Sequence, residues 1–249
     1  MTKSPMVKDD IWKNEALCQT FLSGVRGAIP LASEQIEVML RIISKARPQL
    51  ESFLDLGCGD GILGRAILAK YPQAQGVFLD FSEPMLQAAK IQVEDHRDDH
   101  QFLLADFGNP EWTDPLKAYA AFDAIASGFA IHHQPDNLKK EIYRSIYQLL
   151  KPGGIFLNLE HVSPATKWVG QLQDELFIDS LYQFQQQKGN HQSREQVAQE
   201  YYYRPDKAAN ILAPVEIQCH WLRELGFQNV DCYFKLFEIA LFGGSRPET

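Results

Sequence analysis

The apolar positions of this chain follow two alternating rhythms: helical spacing, and short unbroken runs bounded by glycine, proline or acid. Residues 32–46, ASEQIEVMLRIISKA, place Ile36, Met39, Leu40 and Ile43 on one face and stop before Pro48, which predicts an amphipathic helix. Phe53-Leu-Asp-Leu56 is too short for a helix and reads as a buried strand. Helical spacing returns with Ile62, Leu63, Ala66, Ile67 and Ala69. The runs 75–80 (QGVFLD), 100–106 (HQFLLAD), 122–127 (FDAIAS) and 155–160 (IFLNLE) predict four more strands. A helix begins at Ser82, with Pro84 in its first turn, and continues to Val93. Another covers 136–150, with Leu138, Ile142, Ile146 and Leu149 inward and Lys151-Pro-Gly-Gly154 as its stop. Strands separated by helices of these lengths need right-handed crossovers and a mainly parallel sheet.

After residue 161 the rhythm breaks. Residues 162–213 are Gln-rich and helical in pattern, with Trp168, Phe177, Tyr182, Phe184 and Tyr201-Tyr202-Tyr203 among them. The alternation resumes with a helix from Pro214 to Leu225, closed by Gly226. The final runs, 230–234 and 237–242, are too close for a crossover and should pair antiparallel. The expected fold is a single α/β domain over 1–249, a Rossmann-like, doubly wound seven-stranded sheet. It is mostly parallel with an antiparallel C-terminal hairpin, and carries a helical lid.

The chemistry gathers where strands end. Gly57, Gly59 and Gly61 let the backbone turn tightly and approach a ligand, since no Cβ stands in the way. Strand, glycine turn and helix together make a nucleotide-binding crevice. Residues 59–64, GDGILG, match the dinucleotide fingerprint literally. Asp55, just before the first glycine, argues against a dinucleotide, because it would repel a pyrophosphate and suits an ammonium. Asp80 ends the second strand where a carboxylate can accept both ribose hydroxyls. Asp106 ends the third strand, Ser127 the fourth, and Glu160 with His161 the fifth. His132-His133 follow the fourth strand, and an imidazole titrates near neutrality. Each acid also has a plain reading as a turn or helix-start residue, and the two histidines as one packed and one solvated.

The stretch LDLGCGDG resembles motif I of the class I S-adenosylmethionine-dependent methyltransferases. LLKPGGIFLN (149–158) and WLRELGFQNV (221–230) are similar to that family's entries to its fifth and sixth strands. The resemblance covers 36–161 and 214–242. It implies S-adenosylmethionine as cofactor and a small-molecule methyl acceptor. It also implies that Asp55 helps hold the methionine ammonium while Gly57, Cys58 and Gly59 approach the sugar and methionine portions. By the same resemblance Asp80 takes the ribose, Phe81 lies along the adenine, and Asp106 with Phe107 receives the adenine amino group and ring. Ser127 then lies beside the sulfonium. Arg26, in GVRGAIP, is a candidate for the methionine carboxylate. Segment 1–48 would cover the cofactor, and 162–213 would form the lid and acceptor pocket. The general base is open among His132, His133, Glu160 and His161. Three rivals stand beside this reading. One is a carboxy-S-adenosylmethionine synthase type of enzyme, suggested by SGVRGAIP and Tyr203-Arg204. The others are a non-catalytic cofactor-binding module and a nicotinamide dehydrogenase.

Composition narrows the partners. Against 32 acidic residues stand 24 Lys and Arg, a formal charge of -8, which argues against a general nucleic-acid surface. The segment after the fourth strand, SGFAIHHQP, also lacks an NPPY-like motif for a flipped base. Cys18, Cys58, Cys219 and Cys232 have no metal or redox spacing and read as reduced thiols. No metal site is expected. Without an apolar leader or an apolar run of about 18 residues, the expectation is a cytoplasmic protein off the membrane. A homodimer is left open.

Overall fold

The structure, a computed structural model, describes residues 25–93, 99–119, 121–204, 207 and 209–249. Cys18 and residues 1–24 of the expected covering segment lie outside the described residues. Arg26 belongs to a short 3-10 turn, Val25–Ala28, but its side chain is not among those described.

Seven strands form one sheet: β1 (Ser52–Leu56), β2 (Gln75–Asp80), β3 (Gln101–Leu104), β4 (Phe122–Gly128), β5 (Leu150–His161), β6 (Gln228–Leu236) and β7 (Ile239–Ser245). Their spatial order is β3-β2-β1-β4-β5-β7-β6. β1 to β5 are parallel to one another, and β7 runs antiparallel between β5 and β6. The short turn after β6, with Phe237 at φ 50°, returns the chain directly. β7 must therefore pair antiparallel with β6, as the spacing predicts.

Seven helices complete the description: α1 (Ala32–Ala46), α2 (Ile62–Lys70), α3 (Glu83–Val93), α4 (Asp136–Leu149), α5 (Lys167–Gln187), α6 (Arg194–Tyr203) and α7 (Val215–Glu224). Because strand side chains alternate, each strand feeds two cores. Phe53, Phe78 and Ala124 pack with Met39, Ile43, Ile67 and Leu86 of α1 to α3. Leu54, Leu56, Leu79 and Ile125 pack on the other face with Ile142, Tyr143 and Ile146 of α4 and Leu222 of α7. The Gln-rich insertion forms α5 and α6, which bury Ile178, Leu181, Val197 and Tyr201 in a satellite cluster with Ala28.

Strand boundaries differ from the sequence expectation at several places: β6 and β7 run Gln228–Leu236 and Ile239–Ser245, not 230–234 and 237–242. β5 begins at Leu150, not 155: Lys151-Pro-Gly-Gly154 stops the helix but stays in the sheet as an irregularity. Gly153 there adopts φ +72°, and its amide donates to the Arg246 carbonyl at 3.0 Å. β3 is shorter than expected and ends at Leu104, so Asp106 stands in the loop beyond it.

Gly64 is set by packing. A Cβ there would lie 2.2 Å from Cε1 of Phe78. That ring is fully buried, stacked on Phe102 with centroids 5.0 Å apart and edge-on to Phe53 at 5.7 Å. Gly to Ala within a helix ordinarily stabilises by about 1 kcal/mol. Here Gly64→Ala is expected to destabilise by about 1–3 kcal/mol through overpacking, read as a lower urea midpoint at unchanged m-value.

Candidate active site

One crevice opens where the strand order reverses, between the carboxyl ends of β1 and β4. Ser127 holds those ends together, its Oγ donating to the Leu56 carbonyl at 2.8 Å. Gly57, Gly59 and Gly61 have φ of 66°, 56° and 77°, values that glycine adopts without strain. At Gly57 a Cβ would also sit 2.4 Å from that of Ala130.

The crevice brings together ten of the residues selected from the sequence: Gly57, Cys58, Gly59, Asp80, Phe81, Asp106, Phe107, His132, His133 and His161. Asp80 is held by amides, Oδ2 accepting from Gly59 and Oδ1 from Ser82, both at 2.8 Å. Burial nevertheless lifts its carboxyl to about 6, against the pull of those amides. Asp106 accepts from the Gly108 amide at 2.8 Å, and Phe107 is buried beside it. Burial, then the charges of Asp80 and Asp55, push the Cys58 thiol well up, so it stays protonated and serves as a small packed side chain.

Three other selected residues do not line the crevice. Asp55 is buried and turns toward the start of α2, where Oδ2 accepts from the Gly64 amide at 2.8 Å. An acid behind a glycine turn satisfies an otherwise orphaned helix-start amide. Ser127 is buried, with its hydroxyl donated to Leu56. Glu160 is fully buried behind His132.

Glu160 is an orienting group. Oε2 accepts from the His132 amide at 3.0 Å, and Oε1 accepts from the His161 amide at 2.9 Å. Oε1 also lies 2.5 Å from His132 Nδ1. Above neutrality the Nδ1–H of His132 donates to this carboxylate, which leaves Nε2 as the nitrogen with a lone pair. Burial, followed by the nearby His161, Lys139 and Arg204, lowers the His132 pKa well below its usual value. The His133 ring is tilted against that of His132, with ring centroids 3.9 Å apart. His161 is engaged at both nitrogens: Nε2 lies 2.6 Å from Glu238 and Nδ1 3.5 Å from the Asn210 amide nitrogen.

The far wall comes from the insertion. Gln173 and Phe177 of α5, Tyr201 of α6, and Arg204 and Asn210 beyond it all face the crevice. The Arg204 guanidinium lies 4.7 Å from the Tyr201 ring centroid. Segment 209–213 is tied down by buried Lys139, whose Nζ donates to the Ile211 carbonyl at 2.5 Å and to Asp136 at 2.8 Å. Sequence reasoning missed Gln35, Gln173, Asn210 and Glu238. Glu238 carried one available signal, a lone acid in the tight turn of an apolar hairpin. Among the described residues, no cluster of three or more His, Cys, Asp or Glu is placed to hold a metal, and no helix is long and apolar enough to cross a membrane.

Residues 54–156 match the family model described as a methyltransferase domain. The chain is 22% identical to a carboxy-S-adenosyl-L-methionine synthase of Desulfotalea psychrophila, over 99% of this chain and 96% of that one. It is 33% identical to a demethylmenaquinone methyltransferase of Halalkalibacterium halodurans, over 49% of this chain and 48% of that one. Human N-acetylserotonin methyltransferase, solved with S-adenosylmethionine, shares the fold at a TM-score of 0.61 and 15% identity. That likeness covers 99% of this chain and 60% of that one, so the chain spans less than two thirds of that longer protein.

Asp80 yields a pH dependence. A ribose acceptor at Asp80 would act through its ionised carboxylate, which is present above about 6 and lost as the pH falls through that value. The Kd for S-adenosylhomocysteine is therefore expected to rise, approaching about tenfold per pH unit below that point. Calorimetric titrations at pH 7.5, 6 and 5 check this, and Asp80→Asn should bind weakly with a flat profile.

Proposed function

We propose that the chain, whose residues 54–156 match a methyltransferase domain, is a class I S-adenosylmethionine-dependent methyltransferase that methylates a small-molecule O–H or N–H acceptor with His132 as general base. The observation that carries this reading is the His132–Glu160 pair in the crevice wall, an imidazole oriented by a buried carboxylate and lining the crevice.

The residues present fit the cofactor. Asp80 offers a ribose-accepting carboxylate, the glycine turn presents backbone to the crevice, and Asp106 with Phe107 suits an adenine edge and face. When bound, the cofactor supplies a methyl group on a cationic sulfur, open to in-line attack. The protein's tasks are then to exclude water, orient the acceptor and take its proton. Phe177 and Tyr201 form an apolar wall, and the insertion is the lid that makes the acceptor pocket. His132 Nε2 receives the proton, and the Glu160 carboxylate stabilises the resulting imidazolium through Nδ1. The closed wall and the acidic chain favour a small acceptor over a macromolecule.

A second reading is favoured by Arg204 in that wall together with the full-length similarity to a carboxy-S-adenosylmethionine synthase. Under it Arg204 pairs with a carboxylate carried by the modified cofactor. Mass spectrometry of nucleosides released from purified protein separates the two. S-adenosylmethionine or S-adenosylhomocysteine supports methyl transfer. Carboxylated cofactor, lost in Arg204→Ala, supports the second reading.

The pair also sets the pH profile. One hydrogen already occupies the Nδ1–Oε1 contact, so a second proton puts a hydrogen on Nε2 whichever partner formally holds the charge. Burial raises the Glu160 carboxyl to about 7. Base-dependent turnover is thus expected to be full above that pH and to fall about tenfold per unit below it. His132→Ala should lower kcat by about 10²- to 10⁴-fold with unchanged S-adenosylhomocysteine affinity. Glu160→Gln should lower kcat and move the acidic limb, and a profile unmoved by it would remove the pair from the reaction.

A further inference from the structure

We infer that Gln35, on the first turn of α1, is the residue that receives the ammonium of the cofactor's methionine portion. The inference rests on the cofactor assignment above and names a contact within it.

Gln35 is an unusual residue for a helix face. It is fully buried and lines the crevice. Its Nε2 donates to the Pro30 carbonyl at 2.6 Å, whereas its Oε1 is buried without a hydrogen-bond partner. The orientation of the amide is fixed, because flipping it would set Oε1 against the Pro30 oxygen. A buried acceptor left unmade costs about 1–3 kcal/mol, and such a group is retained where something else completes it.

The chemistry of the missing partner follows from the site. An amide oxygen takes a donor and repels a carboxylate. Of the donors the cofactor offers, the ribose hydroxyls belong to Asp80 and the adenine amino group to Asp106, at the β2 and β3 end of the crevice. α1 packs against β5, β6, β7 and α2, so Gln35 stands toward the opposite end. The donor left there is the ammonium. The acid that the glycine motif would offer, Asp55, already accepts from the Gly64 amide and does not line the crevice. A neutral acceptor also suits a cationic ligand in a wall that already holds Arg204.

The test is calorimetric and needs no acceptor. S-adenosylhomocysteine is compared with its analogue in which hydrogen replaces the α-amino group, on the full chain, Gln35→Leu and Gln35→Glu. The unaltered protein should prefer S-adenosylhomocysteine by at least about tenfold. Gln35→Leu should abolish that preference while leaving the analogue's affinity in place. Gln35→Glu keeps the acceptor but loses the donor to Pro30, and should retain the preference. This decides the matter even if the leucine variant fails to fold. Equal weakening of both ligands in Gln35→Leu, or loss of the preference in Gln35→Glu, would make the residue a strut for Pro30 and overturn the inference. An undiminished preference in Gln35→Leu overturns it too. If the unaltered protein binds neither ligand, the cofactor assignment falls first and takes this contact with it.

Discussion

The site exists because the sheet reverses its strand order at β1. β2 lies on one side of β1 and β4 on the other, so the segments leaving β1 and β4 must diverge above the sheet. The gap between them cannot be filled by either segment, and a crevice results. Everything else answers to that constraint. The glycine turn keeps the β1 exit low, Asp80 stands at the next strand end, and Ser127 draws β1 and β4 together beneath the opening. The two apolar cores on either face hold the strands in register and so hold these ends at fixed spacing.

Above this frame the chain builds its reactive end from buried polar pairs. Glu160 pairs with His132, and Glu238 with His161, and each carboxylate fixes the ring beside it. Charges this deep are tolerated only with hydrogen-bond partners, and Glu160 has two backbone amides as well as the imidazole. Lys139 serves the same end from the other side, anchoring the segment that carries Asn210. The far wall of the crevice is therefore tied to the sheet by specific polar contacts as well as by the cluster around Tyr201.

Much of the fold was legible in the order of residues. Apolar period, glycine and proline positions identified every strand, because a parallel strand covered on both faces must be an unbroken apolar run. The same reading put Asp80, Asp106 and the histidines at strand ends, and strand ends in this architecture share one edge. The extension of β5 through Lys151-Pro-Gly-Gly154 was not legible. A proline and two glycines signal a break, and only the pairing of Gly153 with the chain after β7 keeps them in the sheet.

What the sequence by itself determined was the frame and the family-like strand ends, since these follow from local spacing. Tertiary structure alone decided which polar groups meet. Asp55 and Glu160 are both acids at strand ends, yet one satisfies a helix amide and the other orients a histidine. Gln35 and Asn210 carry no local signal at all, because their roles come from what α1 and the 209–213 segment are packed against. Direction and partner belong to three-dimensional packing, where burial makes each unpaired polar atom costly. That cost, invisible along the chain, assigns each group its contact.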